Sequence, residues 1–157
     1  LSVDDTVYTI KFSFKSNCDR DKLLEIFYDY THLQVFGDGN STTIEKIDEG
    51  NSWYLVQYKY SNFFYKSRAL YRKEKDYENN RVLFKMVEFE HSTGIIPRLL
   101  SSYGYYDISN ESDCNVVTYY QYNVLERPMQ WLYLKVVEDK AKKFLQSFRD
   151  YVNNFEE

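Results

Sequence analysis

The chain has two histidines, His32 and His91, in separate segments, with no cysteine or second histidine at the spacing a zinc site requires. Each reads as a surface or hydrogen-bonded side chain rather than a metal ligand. No Gly-x-Ser-x-Gly elbow, glycine-rich phosphate loop or Cys-x-x-Cys pair occurs. The expectation is therefore no metal, no cofactor and no catalytic residue. What stands out instead is tyrosine: 17 Tyr and 11 Phe, against 5 Gly and 2 Pro. A tyrosine joins a large apolar body to a hydroxyl that wants a partner, so it can line a wet interior or coat a twisted sheet.

Charge on one hairpin is the other candidate chemistry. If Asn79 and Asn80 form a two-residue turn, Glu78 opposes Arg81. Pairing then runs outward through Glu74–Lys85, Arg72–Val87, Leu70–Phe89 and Arg68–His91. The opposite face holds Lys73–Met86, Tyr71–Glu88 and Ala69–Glu90. Neither face is wholly apolar. Either Arg68 with His91, or Glu88 with Glu90, approaches the interior, where an unpaired charge is costly. The reading adopted is that both sets sit in water at the sheet's rim; a one-residue slip exchanges them.

The elements that must position these groups follow from periodicity. Val7 to Lys15 alternates, with Tyr8, Ile10, Phe12 and Phe14 on one face. Asn17 is expected to cap a helix from Cys18-Asp19, whose Leu23, Ile26, Phe27 and Tyr30 form one stripe. "THLQVFGDG" suggests a short second helical turn stopped by glycine. Six β-rich runs follow, at Thr42–Ile47, Trp53–Tyr60, Tyr65–Tyr77, Val82–His91, Tyr103–Ser109 and Val116–Leu125. Turn chemistry separates them, and the loop "STGIIPRLLS" offers Ile95, Ile96, Leu99 and Leu100 as a satellite cluster or an apolar lid. From Pro128 the chain reads as one long helix with the stripe Leu134, Val137, Ala141, Phe144, Phe148, Val152 and Phe155. That helix is the one element long enough to cover an antiparallel meander. The fold class is thus α+β, a curved antiparallel sheet of about seven strands around a C-terminal helix, in a single domain spanning 1–157.

A net charge of −4 with both signs interspersed argues against nucleic-acid binding. No apolar run reaches the roughly 20 residues of a membrane span, so no stable membrane insertion is expected. The cytoplasm is the default location, and nothing in the sequence specifies an oligomeric state.

Four stretches together resemble the helix-grip fold of the START/Bet v 1-like superfamily: "VYTIKFSFKSNCDRDKLLEIFYDY", "IEKIDEGNSWYLVQY", "YGYYDISNESDCNVVTYYQYNV" and "RPMQWLYLKVVEDKAKKFLQSFRDYV". The resemblance covers nearly the whole chain and rests on order and patterning. It implies a cavity between sheet and long helix that holds a hydrophobic or amphipathic small molecule such as a lipid, quinone or polyketide. The expected ligand contacts are Tyr58, Tyr71, Tyr105, Tyr120, Tyr122, Phe144 and Phe148, with Arg68 as polar anchor. Tyr120 and Tyr122, rather than Tyr119, are expected to point inward. The resemblance leaves two alternatives: a cyclase/aromatase using a Tyr or Glu88 as general acid/base, and a protein-interaction module with a filled core. It also pairs the first strand with the last, which is expected to bring Cys18 and Cys114 together at one end of the sheet; a disulfide is possible if their Cα atoms fall within about 7 Å, although ordinary cytosol would keep them reduced.

Overall fold

The computed structural model describes residues 1–32, 42–63, 65–92 and 96–155. Eight strands form one antiparallel sheet: β1 Ser2–Asp4, β2 Val7–Ser16, β3 Thr42–Glu49, β4 Trp53–Ser61, β5 Lys66–Asp76, β6 Arg81–His91, β7 Leu99–Glu111 and β8 Cys114–Leu125. Their order is β1-β2-β8-β7-β6-β5-β4-β3, so the meander from β3 to β8 is closed off by β2 pairing with the last strand. Helix α1 spans Arg20–Tyr28 and α2 spans Trp131–Asn153. The short edge strand β1 is the addition to the expected seven.

Both helices pack on one face of the sheet. Alternation along the strands puts Phe14, Val82, Phe84, Tyr106, Ile108 and Val117 on that face, where they meet Leu23, Leu24, Ile26 and Phe27 of α1 and Phe148 and Val152 of α2. Asp19 rather than Asn17 caps α1, accepting from the backbone N–H of Asp21 and Lys22. The long helix also begins later than Pro128, with Gln130 at its cap. Its attachment is uneven: Leu145, Phe148 and Val152 are buried, whereas Trp131, Leu132 and Val136 near its start are exposed. Glu138 and Lys142 pair at 3.1 Å on the solvent side. Among the described residues, no helix is long and apolar enough to cross a membrane.

Two local expectations change. The β5–β6 connection is a 3-10 turn, Tyr77–Asn79, followed by Asn80 at φ 56°, a left-handed conformation that Asn tolerates. The longer turn makes Asp76 the partner of Arg81, moving each pairing by two residues, so Arg72 meets Lys85. A bulge at Leu70/Tyr71 then shifts the register again, which brings Arg68 opposite Glu90 and Ser67 opposite His91. The loop before β7 is shorter than expected, because Leu99 already pairs with Leu125. The expected turn after His32 and residues Gly94 and Ile95 lie outside the described residues.

Gly104 on β7 is buried with no room for a side chain. A Cβ there would collide with the Tyr120 carbonyl oxygen and stand 2.5 Å from the Phe84 ring. Gly104→Ala is therefore expected to lower stability by at least the ~1–3 kcal/mol typical of overpacking, read as a fall in urea midpoint. A midpoint unchanged from wild type would contradict this packing.

Candidate functional site

Between the inner face of the sheet and the middle of α2 lies a pocket of about 480 Å³. The sheet contributes Tyr58 from β4, Tyr71 and Lys73 from β5, Phe84 from β6, Tyr106 from β7, and Tyr119 and Gln121 from β8. One helix face closes it with Lys140, Lys143, Phe144 and Ser147. These four positions fall at i, i+3, i+4 and i+7, the spacing that puts them on one side of a helix. Tyr71, Tyr106 and Tyr119 all contact the Phe84 ring, with Tyr119 stacked at 5.7 Å, so the floor is a continuous aromatic surface.

A hydrogen-bond chain fixes the polar edge of that floor. The Tyr119 hydroxyl donates to Gln121 Oε1 at 2.8 Å, and Gln121 Nε2 donates to Ser102 Oγ at 3.1 Å. Tyr71 is hydrogen-bonded to the same Ser102 side chain. Burial pushes the hydroxyls of Tyr58, Tyr71, Tyr106 and Tyr119 upward, keeping them neutral donors. Tyr119→Phe should strand the Gln121 carbonyl oxygen and cost about 1–3 kcal/mol. Tyr120→Phe, on the outer face, should be close to neutral. Chemical denaturation of the two variants side by side checks the contrast, and equal losses would refute it.

Lys73 is the unusual member. It is 2% exposed, and its Nζ donates to the Phe27 carbonyl oxygen at 2.9 Å. That carbonyl belongs to the last turn of α1, which has no further helical N–H to satisfy it. The Tyr106 ring lies 5.6 Å from Nζ. Desolvation lowers the Lys73 pKa to about 7, against a weaker opposing pull from Asp29.

Of the residues expected from sequence, Tyr58, Tyr71 and Phe144 line the pocket. Phe148 lies behind it in the core, stacked on Phe144 at 6.2 Å. The inward phase of β8 is Tyr119 and Gln121, so Tyr120 and Tyr122 point the other way, a correction of the expected phase. There Tyr120 stacks on Tyr105 at 5.3 Å and Tyr122 packs against Tyr103, forming an outer tyrosine coat. Arg68 is also on the outer face. It pairs with Glu88 at 3.3 Å and Glu90 at 3.1 Å and donates to Gln57 Oε1. The bulge thus places on one face the charges that sequence reasoning had put on opposite faces.

Sequence reasoning missed Lys73, Phe84, Tyr106, Tyr119 and Gln121. The available signal was Lys73 sharing a strand face with Tyr71 opposite Phe84 and Met86. His32 serves structure, with Nδ1 2.6 Å from the Tyr151 hydroxyl. Cys18 and Cys114 are present as thiols and both line a second pocket at one end of the sheet.

This architecture is the helix-grip fold of START and Bet v 1-like proteins. Similar solved structures include the Zhui aromatase/cyclase from Streptomyces sp. R1128, at 11% identity and TM-score 0.68, covering 94% of this chain and 97% of that one. The ginseng major latex-like protein 151 from Panax ginseng aligns at 14% identity and TM-score 0.64, over 94% and 98% of the two chains. A START superfamily protein from Mycobacterium smegmatis aligns at 7% identity and TM-score 0.68, over 92% and 96%. No protein-family model and no curated protein sequence matches significantly.

Proposed function

We propose that the chain is a single-domain binding protein for a hydrophobic or amphipathic small molecule, such as a lipid, quinone or polyketide, held in the pocket between sheet and α2. The pocket carries this reading: its 480 Å³ falls within the roughly 300–1,000 Å³ of small-molecule sites, and aromatic rings make up most of its floor. A filled interior, as an interaction module of this fold would have, fits that volume poorly. The fold neighbours support the same class, one of them being an aromatase/cyclase. An enzyme of that type finds less support in this chain. Of its expected general acid/bases, a Tyr or Glu88, Glu88 is on the outer face paired with Arg68 and none of the described pocket residues is a carboxylate, which leaves only tyrosines that burial holds protonated.

Native mass spectrometry of protein purified without detergent tests the proposal. The expected result is a mass increment from a co-purifying apolar molecule, lost on organic extraction. Apo mass alone, with no thermal shift from a panel of lipids, quinones and polyketides, would overturn it.

A further inference from the structure

The charges around the pocket are one-sided. Its described lining includes three lysines, Lys73, Lys140 and Lys143, and no Asp or Glu, in a chain whose net charge is −4. Lys140 and Lys143 are exposed at the mouth, on α2, where water screens them. Lys73 is at the floor and almost wholly removed from water.

A buried ammonium has three donors to satisfy. Among the described residues, one hydrogen bond is made, to the Phe27 carbonyl, and the neighbouring Tyr106 ring offers only its face. The opposing charge of Asp29 is too weak an influence to offset desolvation, and the amine is driven toward neutrality. Such a group is costly to bury and gains most from an anion arriving in the same desolvated space. Around it, the Tyr58 and Tyr71 hydroxyls are held protonated, so they can donate to an anion and cannot repel one.

We propose that the pocket selects amphiphiles with a carboxylate head, and that Lys73 is the side chain that reads the head while the aromatic floor takes the apolar body. The inference rests on the small-molecule binding proposed above and names the ligand class for it. Lys140 and Lys143 steer the anion toward the mouth, an effect on capture rate more than on affinity. Lys73 supplies the selectivity because its pairing is made out of water.

The test uses cis-parinaric acid, which fluoresces on burial, and its methyl ester, which has the same chain without the charge. Wild-type protein should bind the acid at least about tenfold more tightly than the ester, ~1.4 kcal/mol. Lys73→Met should abolish that preference by weakening the acid and leaving the ester as it was. The double variant Lys140→Met/Lys143→Met, altered only at exposed positions, should keep the preference with slower association. If Lys73→Met does not fold, the double variant decides the matter, because Lys73 is then the one described lining cation left. Equal binding of acid and ester by wild type would overturn the inference and leave amphiphile binding standing. So would a preference that survives in Lys73→Met or disappears in the double variant. Binding of neither probe, with no apolar molecule co-purifying, would count instead against the small-molecule reading itself.

Discussion

Raising the pH from 7 toward 10 should stabilise the fold, and raising it further should unfold it steeply. Lys73 drives the first limb. Its pKa is about 7 in the folded chain and close to the ordinary 10.5 in the unfolded one. Between those values the unfolded chain binds a proton that the folded chain does not, so stability rises with pH across that window. At 1.36 kcal/mol per unit of difference, the gain is of order 5 kcal/mol. Below pH 7 both states are protonated and this contribution is flat. The second limb belongs to buried tyrosines. Tyr8, Tyr54, Tyr58, Tyr71, Tyr106 and Tyr119 are all pushed upward, with desolvation the leading cause in each. Unfolded tyrosines release protons near pH 10 while these hold theirs, so their contribution is intact below that point and lost above it. Several such groups titrating together make the loss steep. Urea midpoints between pH 6 and 11 measure both limbs. Lys73→Met should be more stable than wild type at pH 7 and should lack the rise, while keeping the alkaline collapse. A wild-type midpoint that is flat from pH 7 to 10 would sink the assignment of Lys73 as a buried, desolvated amine.

The contrast between strand order and strand phase explains what the sequence disclosed. Each strand from β2 to β8 announces itself by alternation or by the turn residues that bound it, and the long stripe on α2 points to a sheet on one side. Order and type therefore follow from local chemistry, and the pairing of β2 with β8 from the resemblance to the helix-grip family. Phase in β8 does not. Tyr119, Tyr120 and Tyr122 have the same body and the same hydroxyl, and a two-sided aromatic strand carries no label for its inner face. The register with β2 supplies it: Phe12, on the already legible apolar face, lies opposite Tyr119. Lys73 was hidden for a different reason. A charged residue on a β-hairpin is ordinarily solvent-facing, and burial depends on the C-terminus of α1, distant in sequence, arriving to accept its hydrogen bond. Arg68 was misplaced by a single bulge that no residue type in β5 or β6 marks. Phe144 was legible because helical spacing fixes its direction without reference to any partner.

Phe148→Ala should cost about 3–5 kcal/mol, the range for emptying a buried aromatic site. The ring is 1% exposed and touches Phe14 of β2, Phe27 of α1, Tyr106 of β7 and Phe144 of its own helix, with centroids 6.4, 5.3, 5.9 and 6.2 Å away. It is the point at which two helices and two strands meet. Because the first turns of α2 expose Trp131, Leu132 and Val136, the helix depends for its docking on the segment from Leu145 to Val152. Little else can take up the load when Phe148 is removed. Phe144, one turn earlier, is half-buried and forms part of the pocket wall, so the surrounding volume is already open on one side. Phe144→Ala should lose less than half as much stability. If the pocket holds an apolar ligand, the two variants separate further: Phe144→Ala alters affinity in a fully folded protein, whereas Phe148→Ala lowers the denaturation midpoint first. Urea unfolding of both variants, with and without saturating cis-parinaric acid, reads the two effects independently. A loss under about 1 kcal/mol for Phe148→Ala would mean that α2 is held to the sheet by something other than this aromatic cluster.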